Sequence, residues 1–304
     1  MPKHVLSAAE GSERNEAPGP DPALIRDLVR AALLEDRAAD DVTTAALVPP
    51  EQRGSGAIMA KAPGVLAGLP VARAVFGAVD ATLEWREERR DGDRLAPGDR
   101  VAAVAGSLSS ILRGERVALN YLCHLSGVAT AAAEVVRALE GTACRLRDTR
   151  KTTPGLRLLE KYAVRCGGGT NHRLDLAGGV LIKDNHLAAL RRRGLGIADA
   201  VRLARQANPG LKIEIEVTGV DEARQAVAAG ADELLLDNMP LDAMREVVAL
   251  AATRDPRPLL EASGGITVDN ARRVAQTGVD FISMGAVTHS AKALDLSLEV
   301  ESRQ

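Results

Sequence analysis

Between Asp148 and His186 the sequence reads DTRKTTPGLRLLEKYAVRCGGGTNHRLDLAGGVLIKDNH, which sets Arg150, Lys151, His172, Arg173 and Lys183 around turns that read as loops leaving strands. From Arg145 to Lys183, nine Lys or Arg stand against three Asp or Glu, a local +6 in a chain of net charge -2, so the remainder carries -8. A cationic pocket in an acidic chain suits a small polyanion. A nucleic-acid surface would instead spread its basic residues along a face.

A second set of residues closes four short apolar runs: Glu216, Asp237, Ser263 and Gly285, at separations of 21, 26 and 22 residues, about one βα unit each. In a parallel barrel these positions share the C-terminal rim, where such folds collect their chemistry. Carboxylates there can accept from sugar hydroxyls or hold a hard cation, or they can be ordinary strand-end acids. Glu214 shares a face with Glu216, and spacing does not choose between them. Ser263, Gly264 and Gly265, then Met284, Gly285 and Ala286, follow the last two runs. Singly each triplet reads as a tight turn; on adjacent strand ends they favour phosphate held by backbone N–H groups and a helix N-terminus.

Other chemistries compete for the same residues. Lys183 at a strand end fits a Schiff-base lysine, but that amine must become neutral, and its cationic surroundings also need an anion. His172 could be a satisfied structural histidine. Cys123, Cys144 and Cys166 are an odd number without CxxC spacing, which suggests a reducing compartment. A zinc site using Cys166 and His172 is conceivable, yet small buried thiols explain all three cysteines more simply.

The elements that must position these residues fall into two regimes. Residues 1–20 mix in Ser, Glu, Gly and Pro, lack the apolar stretch of a signal peptide, and read as a mobile tail. Asp21 as N-cap and Pro22 at the first helical position open a helix. Short β-like runs GAIMAKAP, ATLEWREE and RVAAVAG follow, with a helix near residues 69–79, as expected of an α/β sandwich over residues 21–127. The Ala- and Leu-rich stretch from Ser110 to Leu139 reads as helix with a break at Ser126 and Gly127. Then CRLRD, GVLIKD, KIEIEV, ELLLD, PLLEAS and DFISMG alternate with helical segments, the pattern of a parallel α/β barrel or a doubly wound sheet, here expected over residues 128–289. Residues 290–304 are expected to return to the first domain, and Arg191 to Arg193 reads as a solvated loop.

Composition narrows the function. Aromatic residues are only 2% of the 304, which leaves no base-stacking platform for nucleic acid. No apolar run is long enough to span a bilayer. Neither GxGxxG after a strand nor GxxxxGK[ST] occurs, which favours a barrel over an open nucleotide-binding sheet.

Taken together, DTRKTTPG, GGGTNHR, LIKDNH, EIEV, LLLDN, EASGGI and MGAVTHS resemble, in order, the quinolinate phosphoribosyltransferase family, and GERVALNYLCHLSGVAT extends the resemblance back toward residue 21. The resemblance implies an α/β protein: an N-terminal α/β sandwich and a C-terminal TIM-like barrel with incomplete closure. It also implies quinolinate and phosphoribosyl pyrophosphate as substrates, Mg2+ as cofactor, and a cytoplasmic homodimer with shared active sites, or a hexamer as the larger assembly. Carried over by motif, Arg150 and Arg173, with Thr149 beside them, match positions that grip the quinolinate carboxylates, and Lys183 completes that clamp. Arg116 matches the residue that reaches in from the neighbouring subunit. Lys151 and His172 match positions at the pyrophosphate leaving group, and Glu216 and Asp237 match positions at the ribose hydroxyls and the metal. Ser263, Gly264, Gly265, Met284, Gly285 and Ala286 would meet phosphate. One departure is RAADDVTT, where the family usually carries a glycine before DVTT, which leaves the shape of that loop open. A related transferase on another nitrogen base, or a silent barrel that binds phosphorylated metabolites, would present much of the same cationic pattern.

Overall fold

The computed structural model describes residues 19–301, so the tail expected over residues 1–20 lies almost wholly outside the described residues. Helix α1 (Pro22–Glu35) starts where its cap residues place it: Asp21 Oδ1 accepts the Ala23 amide at 2.9 Å, and Pro22 occupies the first turn. The glycine-free turn before DVTT forms without strain at either aspartate, because the left-handed residue is Arg37 (φ 51°) and Asp41 caps helix α2 (Val42–Leu47) by accepting the Thr43 and Thr44 amides.

An antiparallel sheet follows, built from strands β1 (Arg53–Ala60), β3 (Glu84–Glu87), β5 (Arg100–Ser107) and β12 (Leu296–Glu301) in the order β12-β1-β5-β3. The short strands β2 (Gly64–Val65) and β4 (Arg94–Leu95) pair separately. Helix α3 (Leu69–Val79) packs on the long helix α4 (Leu108–Ala138), which buries Ile111, Leu122 and Leu125 completely. The expected break at Ser126 and Gly127 does not occur; α4 runs unbroken for 31 residues. The Ser-Gly pair serves close approach instead. Ser126 Oγ accepts the Ala67 amide at 3.0 Å and donates back to its carbonyl, and Gly127 lies where any Cβ would collide with the Lys292 backbone.

The six apolar runs become six parallel strands: β6 (Arg145–Arg147), β7 (Val180–Ile182), β8 (Ile213–Val217), β9 (Glu233–Asp237), β10 (Leu259–Ser263) and β11 (Phe281–Ser283), in the order β6-β11-β10-β9-β8-β7. Among the described residues no ladder joins β6 to β7, so the barrel is open on that side. The GGGTN segment extends the β6 edge by one bridge, with the Thr170 amide donating to Leu146 and the Asp148 amide to Thr170. Between the strands lie α5 (Arg157–Cys166), α6 (Asp184–Arg191), α7 (Ile197–Ala207), α8 (Val220–Ala228), α9 (Leu241–Ala251), α10 (Val268–Ala275) and the single turn α11 (Ala286–His289). Arg191, expected in a loop, ends α6 and pairs with Glu222 at 3.0 Å. Strand alternation sends Ile213, Ile215, Leu234, Leu236 and Leu260 into the fully buried layer under the helices, and turns Glu214, Glu216, Glu233 and Glu261 to the other face. Among the described residues no helix is long and apolar enough to cross a membrane.

Candidate active site

A cavity of about 230 Å³ opens at the C-terminal ends of the strands. Thr149, Arg150, Lys151, His172, Arg173, Lys183, Glu216 and Ser263, all singled out from the sequence, line it together with Asp148, Leu181, Leu235, Glu261 and Ser283.

Two loops supply most of the positive charge, and one buried pair holds both. Asp148, at the end of β6, and Lys161, on α5, are completely buried and ion-paired; Lys161 Nζ also donates to the His172 carbonyl at 3.1 Å. Asp148 in turn accepts the His172 amide at 2.9 Å and the Asn171 side chain at 2.6 Å. Burial pushes the Asp148 carboxyl upward, while Lys161 and these donors pull it back. The neighbouring Glu160, equally buried, accepts the Thr153 amide at 3.1 Å and bonds His124 of α4 at 2.9 Å. Two consecutive residues of one helix therefore set the course of the loop that carries Arg150 and Lys151.

The guanidiniums of Arg150 and Arg173 face a common space. Burial, and then the charge of Arg150, push the Arg173 guanidinium below its ordinary value. Its Nη1 donates to the Gly179 carbonyl at 2.7 Å, but the Nε atoms of both arginines are buried without a partner. Buried donors beside a like charge form a site that an anion would relieve. Across the cavity, burial and then the charge of Asp237 push the Glu216 carboxyl up, with Lys183 opposing. Two half-buried oxygen-donor groups that repel each other are the donor set a hard divalent cation fits.

The remaining sequence-derived positions do not line this cavity. Asp237 accepts from Asn238 Nδ2 at 2.8 Å, and Gly264 (φ +87°) lies against the Asn238 side chain, where no Cβ would fit. Gly265 is also left-handed (φ +61°). A Cβ at Gly285 would stand 2.8 Å from Lys151 Cδ, so this glycine makes room for the Lys151 stem. The Met284 side chain is buried in the core and Ala286 begins α11. Arg116 is exposed on α4, outside the lining of this cavity.

Beneath the cavity lies a layer of charge that motif reading passed over. Arg147 pairs with Glu233 and Glu261, and its guanidinium carbon stands 3.5 Å from the centroid of the Phe281 ring. Beside them His172 Nε2 bonds Glu214 Oε2 at 2.7 Å. The signal was present in the strands: KIEIEV, ELLLD and PLLEAS place Glu214, Glu233 and Glu261 on the face opposite their buried aliphatic residues, and CRLRD adds Arg147. The three cysteines are unpaired. Burial pushes the Cys144 and Cys166 thiols up to about 12, which leaves them protonated and unreactive. Among the described residues the one His/Cys/Asp/Glu cluster close enough to hold a metal is His172, Glu214 and Glu261, without Cys166.

Comparison with known proteins agrees with this architecture. A family model for the quinolinate phosphoribosyl transferase N-terminal domain matches residues 41–126, and one for the C-terminal domain matches residues 128–299. The chain is 43% identical over 280 residues to the nicotinate-nucleotide pyrophosphorylase [carboxylating] of Mycobacterium leprae, covering 90% of this chain and 96% of that protein. With the Homo sapiens protein of the same name it shares 42% over 286 residues, covering 93% and 94%. The solved nicotinate-nucleotide pyrophosphorylase of Francisella tularensis superimposes with a TM-score of 0.86 at 37% identity, covering 93% of this chain and 98% of that one. Matched over both of its domains and sharing their fold, the chain belongs to the quinolinate phosphoribosyltransferase family.

Proposed function

We infer that the protein transfers the phosphoribosyl group of phosphoribosyl pyrophosphate to quinolinate with decarboxylation, yielding nicotinate mononucleotide, pyrophosphate and carbon dioxide, a step of NAD biosynthesis. Beyond family membership, the observation that carries this reading is the meeting of Arg150, Lys151, Arg173 and Lys183 in one cavity with Glu216. Both substrates are strongly anionic and repel each other. Planar guanidiniums suit the two adjacent carboxylates of quinolinate, so Arg150 and Arg173, with Thr149 and Lys183 beside them, bind the pyridine. Glu216 and Asp237 receive the ribose hydroxyls and hold Mg2+, which when bound offsets the charge of the pyrophosphate. Ser263, Gly264, Gly265 and the Met284 to Ala286 backbone meet the phosphates.

The C1–O bond to pyrophosphate breaks with its electron pair leaving on pyrophosphate, where Lys151 and His172 stabilise the charge. The pyridine nitrogen, held on the opposite face by the arginines, forms the new bond with inversion at C1. The resulting pyridinium accepts the electron pair left when the carboxylate beside nitrogen departs as carbon dioxide, and a proton replaces it. Incubating the protein with Mg2+, phosphoribosyl pyrophosphate and quinolinate is expected to yield nicotinate mononucleotide and carbon dioxide in equal amounts. Product from nicotinate, without carbon dioxide, would point to a different base and sink this assignment.

We further propose a cytoplasmic homodimer, with a hexamer as its larger form, in which Arg116 enters the partner's cavity. Exposed Leu34 on α1, Val42 and Leu47 on α2, Leu158 on α5, and Leu174 and Leu176 after the His172–Arg173 segment supply apolar surface for such an interface. Arg116→Ala and Arg173→Ala proteins, each nearly inactive, should regain up to about a quarter of wild-type activity when unfolded together and refolded, because a mixed dimer holds one intact site. No recovery would place Arg116 in its own chain's site or in none.

A further inference from the structure

The charged layer under the cavity contains groups that the reaction above leaves unused. His172 is held at three points. Its amide donates to Asp148 at 2.9 Å, its carbonyl accepts from Lys161 at 3.1 Å, and ring Nε2 lies 2.7 Å from Glu214 Oε2. The other ring nitrogen, Nδ1, has no protein partner among the described residues, and the residue lines the cavity. If Nε2 donates to the Glu214 carboxylate and the ring is neutral, Nδ1 can only accept, which is of no use to an anionic substrate. If the ring is protonated, Nδ1–H becomes a charge-assisted donor.

The surrounding charges favour the second form. Glu214 faces the ring from β8, Glu261 from β10 and Glu233 from β9, while Arg147 on β6 is occupied by Glu233 and Glu261. Glu214 Oε1 is buried without a partner, so the hydrogen bond that this carboxylate makes is the one from Oε2 to the ring. Burial works against a charged ring, but the Glu214 bond and the charges of Glu214 and Glu261 outweigh it, so His172 titrates above its ordinary value. Burial, with the charge of Glu214 and against that of Arg147, pushes the Glu261 carboxyl up to about 7.

We propose that Glu214 is a positioning residue: it turns the His172 ring so that Nε2–H faces the barrel floor, and it keeps the ring an imidazolium whose Nδ1–H is offered to an anion in the cavity. The inference rests on the reading of the cavity as an anion site, and extends it to the device that keeps one of its donors charged. Glu261 supports the same state from across the floor, more strongly as it ionises.

Ring-nitrogen NMR of the full-length protein without substrates tests this, with the His172 signal assigned by its loss in His172→Asn. The wild-type ring should titrate above the free-histidine value of about 6.5, and in Glu214→Gln its midpoint should fall and its single preferred Nε2–H tautomer should be lost. Glu261→Gln should lower the midpoint less. With substrates, the kcat/KM profile of Glu214→Gln should fall at a lower pH than that of wild type, so the loss is about tenfold at a pH where only the wild-type ring is charged and small at a pH where both rings are. A wild-type midpoint at or below 6.5, or an equal loss at both pH values, would overturn the proposal. Should Glu214→Gln not fold, Glu214→Asp is read instead: the shorter arm should loosen the Nε2–H preference of the ring, and a tautomer ratio unchanged from wild type would overturn the proposal. The spectra need no turnover, so an inactive protein with the expected titration would sink the functional reading and leave this one standing.

Discussion

Arg173→Ala should weaken quinolinate binding by on the order of a hundredfold or more, since removing one partner of a desolvated charged pair costs about 2–5 kcal/mol, while phosphoribosyl pyrophosphate binding falls by less than about fivefold. Titration calorimetry of each ligand separately provides the comparison. The asymmetry follows from where the guanidinium stands. It is anchored on the Gly179 carbonyl, it shares its space with Arg150, and its Nε is buried without a partner. A carboxylate entering there satisfies an orphaned donor and separates two like charges at once. The acidic pair of Glu216 and Asp237, proposed for the sugar and metal, lies elsewhere on the rim and loses nothing. Equal losses for both ligands would contradict the role given to Arg173.

Lys161→Met should be the most damaging substitution outside the cavity. It leaves Asp148 buried without its counter-ion and releases the His172 carbonyl, and breaking a buried pair from one side costs about 3–5 kcal/mol. Urea unfolding of wild type and variant measures the loss. Activity should fall further than the unfolded fraction explains, because both the Arg150–Lys151 loop and the His172–Arg173 segment hang from this pair. A variant that unfolds at the wild-type midpoint would show that the hydrogen bonds of Asn171 and the His172 amide suffice to hold Asp148.

Much of the fold was legible because local rules and tertiary structure agree. The cap at Asp21 and the proline after it start a helix in any context. Six apolar runs separated by helical segments become parallel strands, because each run is too short for a buried helix and is closed by polar or glycine residues. The Ser126 and Gly127 pair misled for the same reason that local rules usually succeed. Serine and glycine weaken a free helix, but here they are the residues that allow other backbone to approach α4, and that contact holds the helix through them.

The candidate site divides along the same line. Residue types and order alone determined the two-part α/β architecture, the family, and a set of cations suited to a small polyanion, because guanidinium and ammonium groups keep their charge and geometry wherever the chain carries them. Only the tertiary structure decided which of these groups meet. It brought Arg150, Arg173, Lys183 and Glu216 to one cavity and hung two loops from the Asp148–Lys161 pair. It also built, from Arg147, Glu214, Glu233 and Glu261, a charged floor that sets the state of His172. The physical reason is distance. Ionisation, desolvation and hydrogen bonding depend on neighbours within a few ångströms, and those neighbours come from strands tens of residues apart that only the barrel places side by side.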